Sequence, residues 1–195
     1  MLALSPLAQA APFDETKLTA SDAASEDYFG YSVGISGATA IVGAHRDGSA
    51  YLFDATTGAQ IAKLTASDAA AGDNFGISVG ISGATAIVGA HRDADDDGFY
   101  SGSAYLFNAT TGAQIAKLTA SDAAGGDYFG HSVAIFDNTA IVGAFADDDA
   151  GFNSGLAYVF ASAAPPEVPL PAGIWLLGSA AGLLVLRRKR AARAA

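Results

Sequence analysis

Short apolar runs separated by turn residues fill the chain from residue 17 to about residue 164. Residues 29–35 form one such run, and Ser36-Gly37-Ala38 turns it back into 39–44 (TAIVGA). A polar loop leads to 49–53 (SAYLF). Asp54-Ala55-Thr56-Thr57-Gly58, opening on Asp and closing on Gly, then turns the chain into 60–66 (QIAKLTA). Each run predicts a strand. TAIVGA and AYLF do not alternate apolar with polar, which predicts strands covered on both faces.

The same order of runs recurs. KLTASDAA begins at Lys17, Lys63 and Lys117, at spacings of 46 and 54 residues, and the second copy carries an insertion at 94–101. The repeats are 17–62, 63–116 and 117–164, within a body spanning 12–164. Four short strands per repeat predict an all-β fold of β-propeller-like blades, each of four antiparallel strands. The third copy supplies only FGHSVAIF, TAIVGAF and LAYVFA, and no further KLTASD follows it. A spare fourth strand is expected at residues 15–20. Closed propellers typically have four to eight blades. Three repeats therefore predict an open arc or half of a dimeric propeller, a homodimer in which each N-terminal strand completes the partner copy's last blade.

Phe29-Gly30 with Val42-Gly43-Ala44, Phe75-Gly76 with Val88-Gly89-Ala90, and Phe129-Gly130 with Val142-Gly143-Ala144 are in phase with the repeats. This paired signature resembles the FG-GAP repeat family over about residues 17–164. The resemblance implies propeller blades, often in extracellular adhesion or surface proteins. Integrin-type copies carry a calcium loop between the first two strands. Here a short turn stands in that place, so those calcium sites do not carry over.

Both ends of the chain read differently from the body. Residues 1–11 (MLALSPLAQAA) combine an apolar stretch with Ala8-Gln9-Ala10, a small-x-small cleavage pattern, and are expected to be the remnant of a signal peptide. Residues 165–195 open with Pro165-Pro166-Glu167-Val168-Pro169, a stiff linker. Residues 170–186 are free of charge and, as a helix, reach roughly 25 Å, the short end for one transmembrane helix. Arg187-Arg188-Lys189-Arg190 would keep the C-terminus cytoplasmic and the body outside. Val168-Pro169-Leu170-Pro171-Ala172 and the basic end resemble the VPLPA variant of the PEP-CTERM sorting tail. That resemblance implies an exosortase-like membrane transpeptidase as partner, a transient inner-membrane anchor, and release to the cell surface or outside the cell.

Charge follows the same division. Residues 1–164 carry a net of −14 and residues 165–195 a net of +4, together −10. So acidic a body repels phosphate backbones, and no nucleic-acid partner is expected. Hydrophobic residues at 51% and charged residues at 15% exclude a disordered acidic chain. No cysteine is present, so disulfides and thiolate metal sites are excluded.

Asp93, Asp95 and Asp97 stand in a D-x-D-x-D-G run closed by Gly98, and alternating carboxylates can wrap a hard cation. The distal acid of an EF-hand is missing. The readings are a half-complete calcium site or a solvated acidic loop. Asp147 and Asp149, with Asp148 and Gly151, form a looser version. Asp27, Asp73 and Asp127 precede the Phe-Gly pair in every copy and read as turn caps. His45 and His91 are equivalent to Phe145, a packing position. Tyr51, Tyr105 and Tyr158 recur in the third strand and read as core. Ser32, Ser78 and Ser132 lie on strands without a nucleophile elbow. Catalysis needs an asymmetric cluster, whereas what recurs here is symmetric and argues for architecture rather than an enzyme. The chain therefore reads as an exported surface or matrix interaction module with a protein or glycan ligand. A purely structural matrix component and a polysaccharide-active enzyme are the alternatives.

Overall fold

The computed structural model describes residues 14–94 and 99–162. The signal-peptide remnant, Asp95 and Asp97, the sorting motif and the apolar run lie outside the described residues. No helix among the described residues is long and apolar enough to cross a membrane.

Among its described residues, the unit Met1–Ala161 holds eleven strands in three antiparallel sheets. The first sheet orders β1 (Ser32–Ser36), β2 (Thr39–Ala44), β3 (Ser49–Asp54) and β4 (Gln60–Leu64) as a meander. The second repeats it with β5 (Ser78–Ser82), β6 (Thr85–Ala90), β7 (Ser103–Asn108) and β8 (Gln114–Leu118). The third has, among the described residues, β9 (Phe129–Phe136), β10 (Thr139–Ala144) and β11 (Leu156–Ala161). The missing fourth strand is as the repeat pattern predicts.

Stacking of these blades explains the apolar runs. In β2, Ile41 enters a core with Val79, Ile81 and Phe107 of the second blade. Its neighbours Ala40, Val42 and Ala44 enter another core with Tyr51 and Phe53. In β6, Ile87 joins Phe129, Val142 and Val133 of the third blade. Strand β10 has the same TAIVGA sequence, yet its residues alternate between covered and uncovered, because no blade among the described residues packs on its outer face. Continuous burial is thus a property of having a neighbour on each side.

Two expectations need correction. Phe-Gly is part of the first strand only in β9. In the other copies it forms the turn ahead of β1 and β5, with Gly30 and Gly76 in the left-handed region. The third copy differs because the insertion of the second copy reaches it: Phe129 donates its N–H to the Ser101 carbonyl at 2.9 Å, and Gly102 bridges Phe129 in parallel. The segment 15–20 is not paired as a strand. It lies against blade 1 through Leu18 and the buried Ala20, beside Tyr51, Phe53 and Phe29.

The Phe-Gly and Val-Gly-Ala signatures meet at the seams between blades. A side chain on Gly43 would strike the Gly76 carbonyl, and one on Gly89 would strike that of Gly130. Ser32 Oγ donates to the Gly76 carbonyl at 2.9 Å, and Ser78 Oγ to that of Gly130 at 2.8 Å. The paired Phe-Gly and Val-Gly-Ala signature therefore describes blade-to-blade packing at both seams.

Candidate functional site

Each β2-type strand ends where its β1-type strand begins, so the loops after β2, β6 and β10 share a sheet edge with the Phe-Gly turns. At this edge Tyr28, Asn74 and Tyr128 hold φ of 53°, 58° and 55°. Side chains other than Gly rarely take that conformation, and bulky ones least of all. Here it turns the side chain before each Phe away from the core that the Phe enters.

Two aromatic groups result. Around blade 1, Tyr28 stacks on His45 with ring centres 5.6 Å apart, Tyr31 meets the same imidazole edge-on at 4.3 Å, and the Arg46 guanidinium lies 5.5 Å from the Tyr28 ring. At the seam of blades 2 and 3, Tyr128 stacks on Phe145 at 5.3 Å and on Tyr100 at 5.6 Å. Arg92 lies 5.4 Å from the Tyr100 ring, and His91 contacts Tyr128 and His131. Tyr28, Tyr31, Phe99 and Phe145 are each more than half exposed. Packing explains the equivalence of His45, His91 and Phe145. The second group had no local signal in the sequence, because its members come from two repeats and the insertion.

His91 is buried, and its Nδ1 has no hydrogen-bond partner among the described residues. Burial, then the nearby His131 and Arg92, lower its pKa from 6.5 to about 4. The unfolded chain takes up this proton below pH 6.5, whereas the folded chain resists until about pH 4. Stability is thus full above 6.5 and is lost as pH falls between the two values, by up to about 3 kcal/mol. Substituting His91→Phe, the residue present at position 145, is expected to flatten this acid loss. Urea midpoints at pH 7 and pH 4.5 check it; equal losses in both proteins would show that His91 is not the sensor.

The acidic residues have structural partners. Asp27, Asp73 and Asp127 accept the N–H of Ala24, Ala70 and Ala124 at 2.6–2.7 Å, which are the caps expected. Burial raises the Asp73 and Asp127 carboxyls above their ordinary value, against these hydrogen bonds. Tyr105 is core by its ring, but its hydroxyl meets the buried Asp93 at 2.7 Å. Lys117 closes the group, at 2.8 Å from Asp93 and 2.7 Å from Asp68. Blade 1 repeats it with Tyr51, Asp47, Asp22 and Lys63. In blade 3, Tyr158 meets Asp147 at 2.8 Å and Asp122 at 2.9 Å. Asp149 is exposed; its N–H donates to Asp147 Oδ1, and the Asp147 charge raises its carboxyl. No group of three metal-binding side chains gathers among the described residues. A calcium ion at 93–97 would compete with Lys117 for Asp93.

A family model described as FG-GAP repeat matches residues 13–53, 59–107 and 113–160. No curated protein matches the chain. Among solved structures, hydrazine synthase of Kuenenia stuttgartiensis is similar at 15% identity and a TM-score of 0.40. That match covers 57% of this chain and 29% of the other, so this chain spans under a third of its length.

Proposed function

The chain belongs to the FG-GAP repeat family, and from that premise we propose a non-catalytic binding module of the cell surface or extracellular matrix, with its ligand on the aromatic edge. Repeats of this family generally occur in exported or surface proteins. The observation that carries the reading is the exposed set Tyr28, Tyr31, Phe99 and Phe145 beside Arg46 and Arg92. Flat rings with adjacent guanidinium donors suit sugar rings, whose apolar faces stack and whose hydroxyls accept hydrogen bonds. The proposal includes delivery by an exosortase-like transpeptidase acting on Val168 to Ala172, and calcium on the 93–97 loop.

A glycan array probed with the chain, with calcium and with chelator, tests it. Saturable, selective binding is expected, with a loss of at least tenfold in Tyr128→Ala and Arg46→Ala. Uniform weak retention on every glycan would instead favour a purely structural matrix role. Binding that chelator leaves unchanged would remove calcium. An intact 176–190 peptide in the surface-recovered protein would remove the sorting step.

A further inference from the structure

Each seam between blades has the same four parts, and the described residues make the seam twice. The first part is apolar. Ile41 and Leu52, fully covered, face Val79 and Ile81 of the next blade. Their counterparts in blade 3, Ile141 and Val159, are 45% and 65% exposed, and the counterparts of Val79 and Ile81 in blade 1, Val33 and Ile35, are 69% and 67% exposed. The second is the serine hydrogen bond to the following Phe-Gly carbonyl, made by Ser32 and Ser78; Ser132 makes none among the described residues. The third is the outer strand: β3 pairs β4 and β7 pairs β8, whereas among the described residues β11 pairs only β10. The fourth is the lysine. Lys63 and Lys117 each sit across from a tyrosine, between two aspartates. Asp122, Asp147 and Tyr158 have no such cation among the described residues.

The chain holds one more copy of each missing part, at its other end. Lys17 is exposed, makes no ion pair among the described residues, and opens the same KLTASD sequence. We propose that a second copy of this chain supplies them. Residues 15–20 of one copy add antiparallel to β11 of the other. In the register of β3 with β4, this sets Lys17 across from Tyr158 and Thr16 across from Val159. The carboxylates of Asp122 and Asp147 receive their cation, and the faces bearing Val33 and Ile35 cover Ile141 and Val159. The contact is head-to-tail; made twice about a two-fold axis, it closes six blades and leaves no open end. It also covers an edge strand that would otherwise template aggregation. One detail is not repeated: Phe136 stands where Ser36 and Ser82 accept the N–H of Gly83 and Asp137. The inference is independent of what the aromatic edge binds.

The absence of cysteine makes the test direct. Full-length Thr16→Cys and Val159→Cys chains are mixed in mild detergent and treated with a short bis-maleimide. A cross-linked dimer is expected from the mixture and not from either variant alone. No cross-link in the mixture would overturn the proposal, including the case in which one chain closes on itself. The double variant should stop at a dimer band, and a ladder of higher species would overturn the closed pair. Lys17→Glu is expected to weaken the dimer at least tenfold by light scattering; an unchanged dissociation constant would remove the lysine from the interface.

Discussion

Gly76→Ala lowers the stability of the body by about 2–5 kcal/mol, whereas Gly72→Ala, four residues away, costs about 1–2 kcal/mol. Both glycines lie at positive φ, 91° and 101°, so both substitutions carry the strain of a left-handed side chain. They differ in what the added methyl group meets. At Gly72 nothing lies within 4 Å. At Gly76 the methyl group would land on the Ser49 carbonyl, which is backbone of the neighbouring blade and cannot swing aside. The only relief is to part blades 1 and 2, which breaks the Ser32 hydrogen bond and uncovers Ile41 and Leu52. Urea midpoints of the two variants decide the matter. Equal midpoints would mean that Phe-Gly is conserved in these three repeats for its turn alone, and that the seam is looser than the contacts imply.

That comparison marks where the sequence was legible. Strand runs, the three-stranded third blade and two-sided burial followed from local pattern, because each depends on residues a few positions apart. The sequence places Phe-Gly in a strand because an apolar ring beside a glycine looks the same in a strand and in a turn. The glycine's φ does not separate the two, since Gly76 in the turn holds 91° and Gly130 in β9 holds 87°; what separates them is the pairing of Phe129 with the insertion. The repeat pattern predicts a strand at residues 15–20, but the structure leaves the segment outside any sheet, because the third strand of a preceding blade, with which KLTA pairs in the other copies, is absent among the described residues. The aromatic edge was not legible. Tyr28 and Tyr128 reach it through a left-handed backbone conformation that recurs at Asn74 but leaves no mark on the apolar pattern, and Tyr100 reaches it through the insertion. The tyrosine groups were half legible. The rings read as core, but the aspartates that take the hydroxyls lie 4–36 residues away, and of these the sequence singles out only Asp93 and Asp147, as acidic-loop or calcium residues.

Replacing Lys117 by Met tests that second layer of organisation. Met keeps most of the alkyl stem and removes only the charge. Asp93, Asp68 and the Tyr105 hydroxyl would then face one another with no cation. Asp93 has 7% of its side chain exposed, so its ionised form cannot turn to water for compensation. The expected loss is about 2–4 kcal/mol at pH 7. Lys63→Met should cost only about 1 kcal/mol, because its partners Asp22 and Asp47 are 45% and 25% exposed and water can replace the ammonium. The pH dependence has a definite sign. Burial works to raise the Asp68 carboxyl, but hydrogen bonds from Lys117 and Tyr105 outweigh it and hold it below 3.8. Its contribution is therefore present above 3.8 and lost as pH falls through the lower folded value. The gap between wild type and Lys117→Met should narrow in acid, where the carboxyls protonate and no longer need the lysine. Urea titrations at pH 7 and pH 3.5 would show this. A gap that stays constant would assign the lysine's worth to its stem over the Tyr105 ring, with its nitrogen 5.4 Å from the ring centre, rather than to its charge.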